Sequence, residues 1–83
     1  MVELERAAPS PELRAALWAV LRDDPNPTAR FQAAKLLLRV AGRIASVHQQ
    51  DYPDLELVRA VIRSEGSARR EALAEFERRI GAN

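Results

Sequence analysis

His48 is the first residue to weigh for chemistry. It is the only histidine in the chain, and imidazole is the side chain best suited to proton transfer and metal ligation near neutral pH. Its spacing puts it on the apolar side of a helix, close to the C-terminal end, where the helix dipole favours an imidazolium. It reads either as a ligand or pH-sensitive contact, or as a helix-end histidine paired with a carbonyl or with Asp51. The dipole argument favours the second reading. A metal centre needs several ligands at regular spacing. With one His and no Cys, only carboxylates remain to complete one, so neither a metal nor another cofactor is expected.

The hydroxyls fare no better as nucleophiles. Ser10, Thr28 and Ser67 stand where helices begin, and orphan N–H groups account for them there. Ser46 and Ser64 have no adjacent histidine of the kind that activates a nucleophile. Asp23 and Asp24 fall at a helix terminus, and the glycines are too scattered to cradle a phosphate. The expectation is a chain that is not an enzyme and takes no small-molecule substrate.

Binding surfaces are better supplied. Trp18 lies off the stripe of Leu13, Leu17 and Leu21, between Arg14 and Arg22. It reads either as an edge-of-core indole covered by arginine stems or as an aromatic anchor flanked by arginines, a combination enriched in interface hot spots. Lys35, Arg39 and Arg43 form a basic strip along a helix. Gly66-Ser67-Ala68-Arg69-Arg70 has the short glycine-containing turn of a DNA-binding helix-turn-helix, with arginines where a recognition helix begins. It departs from that motif at Ser67, where an apolar residue is usual, and at Ile62, where a small one is.

The elements that must position these residues are all helices. Ser10-Pro11 reads as an N-cap followed by proline at the first helical position. Leu13, Leu17, Val20 and Leu21 then form an apolar stripe that ends at Asp23-Asp24-Pro25. Asn26-Pro27 repeats the starting device for a second helix, in which Arg30 is expected to reach back toward Asp24. That second helix carries Phe31, Ala34, Leu38, Ala41 and Ala45 on one ridge, Leu37, Ile44 and His48 beside it, and Ala33, Leu36, Val40 and Val47 beyond. At about 100° per residue, this apolar arc exceeds half the circumference. A helix so apolar must touch at least two neighbours, which predicts a long central helix with Phe31, Leu38 and Ala41 buried against Leu17 and Leu21.

Gln49-Gln50-Asp51-Tyr52-Pro53-Asp54 is a loop, and Pro53 is placed to start a third helix. There Leu55, Val58, Val61 and Ile62 are buried, with Leu57 at the edge, while Glu56, Arg59 and Arg63 face water. Gly66 reads as a left-handed C-cap and Ser67 as the next N-cap. The fourth helix carries Ala72, Leu73, Phe76 and Ile80 on a narrow stripe and is closed by Gly81. No segment alternates with the period of a strand. The predicted fold is all-α: a frayed turn or short helix over residues 1–9, then one four-helix bundle over residues 10–83.

Composition narrows the function classes. The chain has 83 residues, a net charge of +1 and no Cys. A chain this short buries roughly 60% of its unfolded surface, so it gains much from a helper. Disulfides and thiolate metal sites are excluded, leaving a second copy or another protein as the expected helper. Near-neutral charge argues against bulk attraction to nucleic acid or anionic membranes. The acidic start lacks the basic and apolar regions of a signal peptide, and no apolar run approaches the roughly 20 residues that span a bilayer. A soluble, cytoplasmic protein is expected.

Residues 13–41 resemble a HEAT-type helical hairpin. The likeness rests on Leu13, Leu17 and Leu21, then Asp24-Pro25-Asn26-Pro27, then Arg30, Ala33-Ala34 and Leu37. A similar hairpin occurs in phage proteins of the terminase small-subunit kind, which act as oligomers. The resemblance implies structural roles for Asp24 and Arg30. No second copy of the pattern follows at a solenoid period, so no repeat array is expected. The function these readings favour is a non-enzymatic assembly or interaction module that self-associates or docks on a larger protein. Leu36, Val40 and Val47, with Trp18, Arg14 and Arg22, are its expected interface. The alternative is a small helical DNA-binding protein using Lys35, Arg39, Arg43, Arg69 and Arg70.

Overall fold

A computed structural model describes residues 11–80 of the chain. Four α-helices follow one another there: α1 (Pro11–Asp23), α2 (Pro27–Val40), α3 (Leu55–Arg63) and α4 (Gly66–Ile80). The fold is all-α, with no strand among the described residues. The turn expected over residues 1–9, the Ser10 cap and the Gly81 stop lie outside those residues.

The turn between α1 and α2 forms as its residue types dictate. Asn26 sits in the β region, and its side-chain oxygen accepts from the Thr28 N–H at 2.9 Å, with Pro27 opening the helix. Such a cap satisfies one of the donors that a helix start leaves orphaned. The Asp24 carboxylate accepts from the Asn26 N–H at 2.8 Å. The Asp24 N–H in turn donates to the Val20 carbonyl, closing α1.

α2 is shorter than its apolar pattern predicts. The pattern runs to His48, but the helix stops at Val40. Gly42 takes a φ of 76°, a left-handed conformation that costs glycine little because it has no Cβ. The Gly42 N–H then donates to the Arg39 carbonyl at 3.0 Å, and the Arg43 N–H to that of Leu38 at 2.9 Å. These are the paired bonds of a Schellman helix end. Arg43, Val47 and His48 therefore leave the helix for the connection over residues 41–54. Ala41 is exposed rather than buried for the same reason.

The connection is ordered by its own polar groups. The His48 N–H donates to the Ser46 hydroxyl at 3.1 Å, and the Ala45 N–H to the Gln49 side chain at 3.1 Å. Ile44 and Tyr52 reach the core from it. Gly66, also left-handed (φ 61°), opens α4 directly, so α4 begins one residue before the expected Ser67 cap.

α2 holds the middle of the core. Ala33, Ala34, Leu37 and Leu38 are buried with Leu21 of α1, Val58 and Val61 of α3, and Phe76 of α4. α2 packs against both α1 and α3, and α3 against α4, so the chain folds as two linked helical hairpins. The Ala33-Ala34 pair lets the backbones approach closely. Phe31, expected in the core, is half-buried, and Leu13 is 49% exposed where the α1 stripe frays outward. Trp18 meets Phe76 edge to face, with centroids 5.8 Å apart, and so ties α1 to α4.

Leu38 has no exposed surface. Leu38→Ala is expected to cost about 2–5 kcal/mol, the range for a buried leucine whose cavity does not collapse. Urea unfolding of the variant beside the wild type measures it, and a loss under about 1 kcal/mol would contradict this packing.

Candidate interaction surfaces

Two charged groups are buried among the described residues, and each ties separate elements together. Arg30 is only 3% exposed. It does not turn back to Asp24 as its sequence position suggested. Its Nε donates to the Leu21 carbonyl at 2.8 Å, and its two terminal nitrogens donate to the Val61 and Ile62 carbonyls at 3.0 and 3.4 Å. Those carbonyls belong to the last turns of α1 and α3, where helices leave acceptors orphaned and the dipole is negative. Burial and the nearby Arg69 charge pull the Arg30 pKa down, and Asp24, acting through charge alone, partly offsets them. The guanidinium stays protonated regardless.

Asp54 is the second such group, 1% exposed and just ahead of α3. Arg43 grips it with two bonds, Nε to Oδ2 at 2.9 Å and a terminal nitrogen to Oδ1 at 3.1 Å. Arg79 of α4 approaches Oδ1 at 3.5 Å. The clamp joins the connection, the start of α3 and the end of α4. The Arg43 hydrogen bond, working against burial, holds the Asp54 carboxyl below the usual carboxylate range. Arg79 also pairs with Glu75, as does Arg78. No sequence pattern marked Asp54 for burial, because an aspartate before a helix ordinarily reads as an exposed cap.

The surface residues expected to meet a partner fall into separate groups. Trp18 is half-buried and lines a depression of about 530 Å³ between α1 and α4 with Ala15, Arg22, Arg70, Leu73 and Glu77. Arg22 remains exposed there, beside Asp23 at 3.6 Å. Arg14 is half-buried on the same helix. Leu36 is 40% exposed on α2. Val40 ends that helix and Val47 lies in the connection, both half-buried. The three residues are therefore not one arc of a continuous helix.

The basic residues are also dispersed. Lys35 lies over the Phe31 ring, 5.4 Å from its centroid. Arg43 is committed to Asp54, and Arg69 Nε donates to the Ser64 carbonyl at 2.9 Å, closing the end of α3. Arg39 and Arg70 are exposed. The strip Lys35-Arg39-Arg43 is broken where α2 ends. Among the described residues, no three His, Asp or Glu side chains cluster as metal ligands would, and no helix is long and apolar enough to cross a membrane.

A depression between α2 and α3 has no counterpart in the sequence reading, which places Phe31 and Ile62 in the core and Arg59 and Arg63 in water. Pro27, Thr28, Phe31, Arg59, Ile62 and Arg63 line it, over about 290 Å³. No family model, curated protein or solved structure matches the chain.

Arg30→Lys offers one ammonium where a fork now meets carbonyls from two helices. It is expected to lower stability by about 2 kcal/mol or more, the cost of orphaning buried acceptors, as read by urea unfolding. A loss within about 0.5 kcal/mol would show that solvent replaces those bonds.

For Asp54, the depressed pKa fixes the sign of the acid response. Its contribution is complete above the ordinary carboxylate pKa of 3.8 and is lost as pH falls below it, through the lower folded value. Asp54→Asn is expected to be less stable than the wild type at pH 7, the difference shrinking as both are acidified below about pH 4. Thermal unfolding across that range checks it, and a constant difference would remove the clamp from the acid response.

Proposed function

We propose that the chain is a non-enzymatic helical interaction module that self-associates or docks on a larger protein. The carrying observation is the depression between α1 and α4, where Trp18 is half-buried beside Arg22, Arg70 and Leu73. Tryptophan and arginine are the residues most enriched where truncation costs the most binding energy. An indole here offers a large apolar face at little cost in side-chain entropy, because Phe76 already fixes its ring. Arg22, Arg70 and Glu77 surround it with charges of both signs, which suits a polar rim around an apolar centre. Leu36 adds exposed apolar surface on α2.

The small size of the chain favours the same reading. A short helical bundle gains stability by mass action from any partner that binds only the folded state. The DNA-binding alternative keeps Arg39 and Arg70 but draws less support from Arg43 and Arg69, whose side chains are engaged within the fold.

Ala74 is exposed at the edge of the α1–α4 depression, so a charge there disturbs docking more than folding. The wild type is expected to show a mass that rises with concentration in light scattering, or to retain a protein partner when immobilised. Ala74→Glu is expected to abolish either result while its helical circular dichroism is unchanged. A single-chain mass at every concentration, with no protein retained by the wild type beyond those retained by Ala74→Glu, would overturn the reading.

A further inference from the structure

The depression on the α2–α3 face has a second, adjoining one. Lys35, Gln49, Tyr52 and Leu55 line it together with Phe31 and Arg59, over about 280 Å³. Phe31 and Arg59 belong to both, so the two form one groove. The groove follows α2 from Pro27 to Lys35 and α3 back from Arg63 to Leu55. Each half is at or below the size of a site for a drug-like molecule, about 300–1,000 Å³, and suits a single anchoring side chain.

The chemistry of the groove is one-sided. Its floor is Phe31, Ile62 and Leu55, and its charged lining is Lys35, Arg59 and Arg63, with no acid among the lining residues. The chain as a whole carries a net charge of only +1. The positive rim is therefore a local polarisation and not a sample of a basic protein. Arg59 has an acidic neighbour in Glu56 at 3.1 Å, but the Arg59 side chain is 47% and that of Glu56 81% exposed, and such a surface pair contributes little and exchanges readily. Tyr52 closes the far half, only 6% exposed, and its hydroxyl has no hydrogen-bond partner among the described residues.

We propose that this groove binds an acidic amphipathic helix of a partner protein, as a docking site separate from the Trp18 depression. The two halves are offset by about one helical turn along α2, roughly 5.4 Å. Two apolar anchors at i and i+4 of the partner helix enter the halves, as in other helix-in-groove contacts. Glu or Asp residues beside the anchors meet Lys35, Arg59 and Arg63. The apolar floor favours this occupant over a nucleic acid backbone, which presents phosphate without anchors. The cations set the sign of the partner and its encounter rate, and the floor holds it.

The test uses fluorescent synthetic peptides of about 15 residues, long enough to form helix on binding, with Leu or Phe at i and i+4 and Glu flanking. Matched peptides carry Lys for Glu, or Ser for the anchors. The full chain is expected to bind the acidic peptide, to weaken with added salt, and to bind neither control. Arg59→Glu with Arg63→Glu is expected to reduce affinity about tenfold or more, while Ala74→Glu leaves it unchanged. Equal binding of acidic and basic peptides, or no binding of the acidic one, overturns the proposal. So does a DNA duplex that binds with the same sensitivity to Arg59→Glu and Arg63→Glu, or an oligomer of the chain that this double variant dissolves. Each of these results leaves the Ala74→Glu comparison intact, so the two docking surfaces fail independently.

Discussion

The fold depends on a guanidinium that no carboxylate among the described residues bonds. Arg30 lies in the second turn of α2 and is buried against the ends of α1 and α3. A buried charge is tolerated only when its hydrogen bonds are made, and here backbone carbonyls make them. The cost of dehydrating the charge is offset by carbonyls at two helix ends, where the helix itself supplies no donor. The arrangement requires α1 to end at a fixed height along α2 and α3 to end beside it. With those ends in place, the Ala33-Ala34 face of α2 meets its neighbours closely, and Leu37 and Leu38 fill the space above.

Asp54 and its arginines complement this at the opposite end of α3. Arg30 gathers helix C-termini around a positive group, whereas Asp54 sets a negative group at a helix start, where the dipole favours it. α3 is thus held at both ends by charge of the matching sign. It is the shortest of the four helices, and short helices owe most of their stability to such tertiary anchoring. Arg69 adds a further donor at the C-terminal end through the Ser64 carbonyl.

Local punctuation was legible in the sequence and global partnership was not. Asn26-Pro27 announces a helix start because the cap geometry is complete within a few residues. The stripe Leu55, Val58, Val61, Ile62 announces a buried face because period alone defines it. Gly42 carried an equally local signal, a glycine preceded by an arginine in the last turn. The apolar rhythm of Ile44 and Val47 continues past it and masks it. Ile44 is apolar because the connection itself enters the core there, a tertiary reason with no periodic mark. Arg30 and Asp54 illustrate the same limit. Their partners lie 9 to 32 residues away for Arg30 and 11 and 25 for Asp54, so neighbouring residues announce nothing. The paired depressions along α2 and α3 exist only once those helices lie side by side.

Arg30 and Asp54 also differ in how they tie the chain to its own history. Asp54 depends on the side chains of Arg43 and Arg79, so a change at any of the three alters what the others can tolerate. Among the described residues, Arg30 addresses main-chain oxygens alone, which every amino acid carries. Leu21, Val61 and Ile62 can exchange for other residues of similar bulk without releasing their hold on it. Its burden therefore falls on a single codon with no compensating partner, and a correlated pair of substitutions would never betray it.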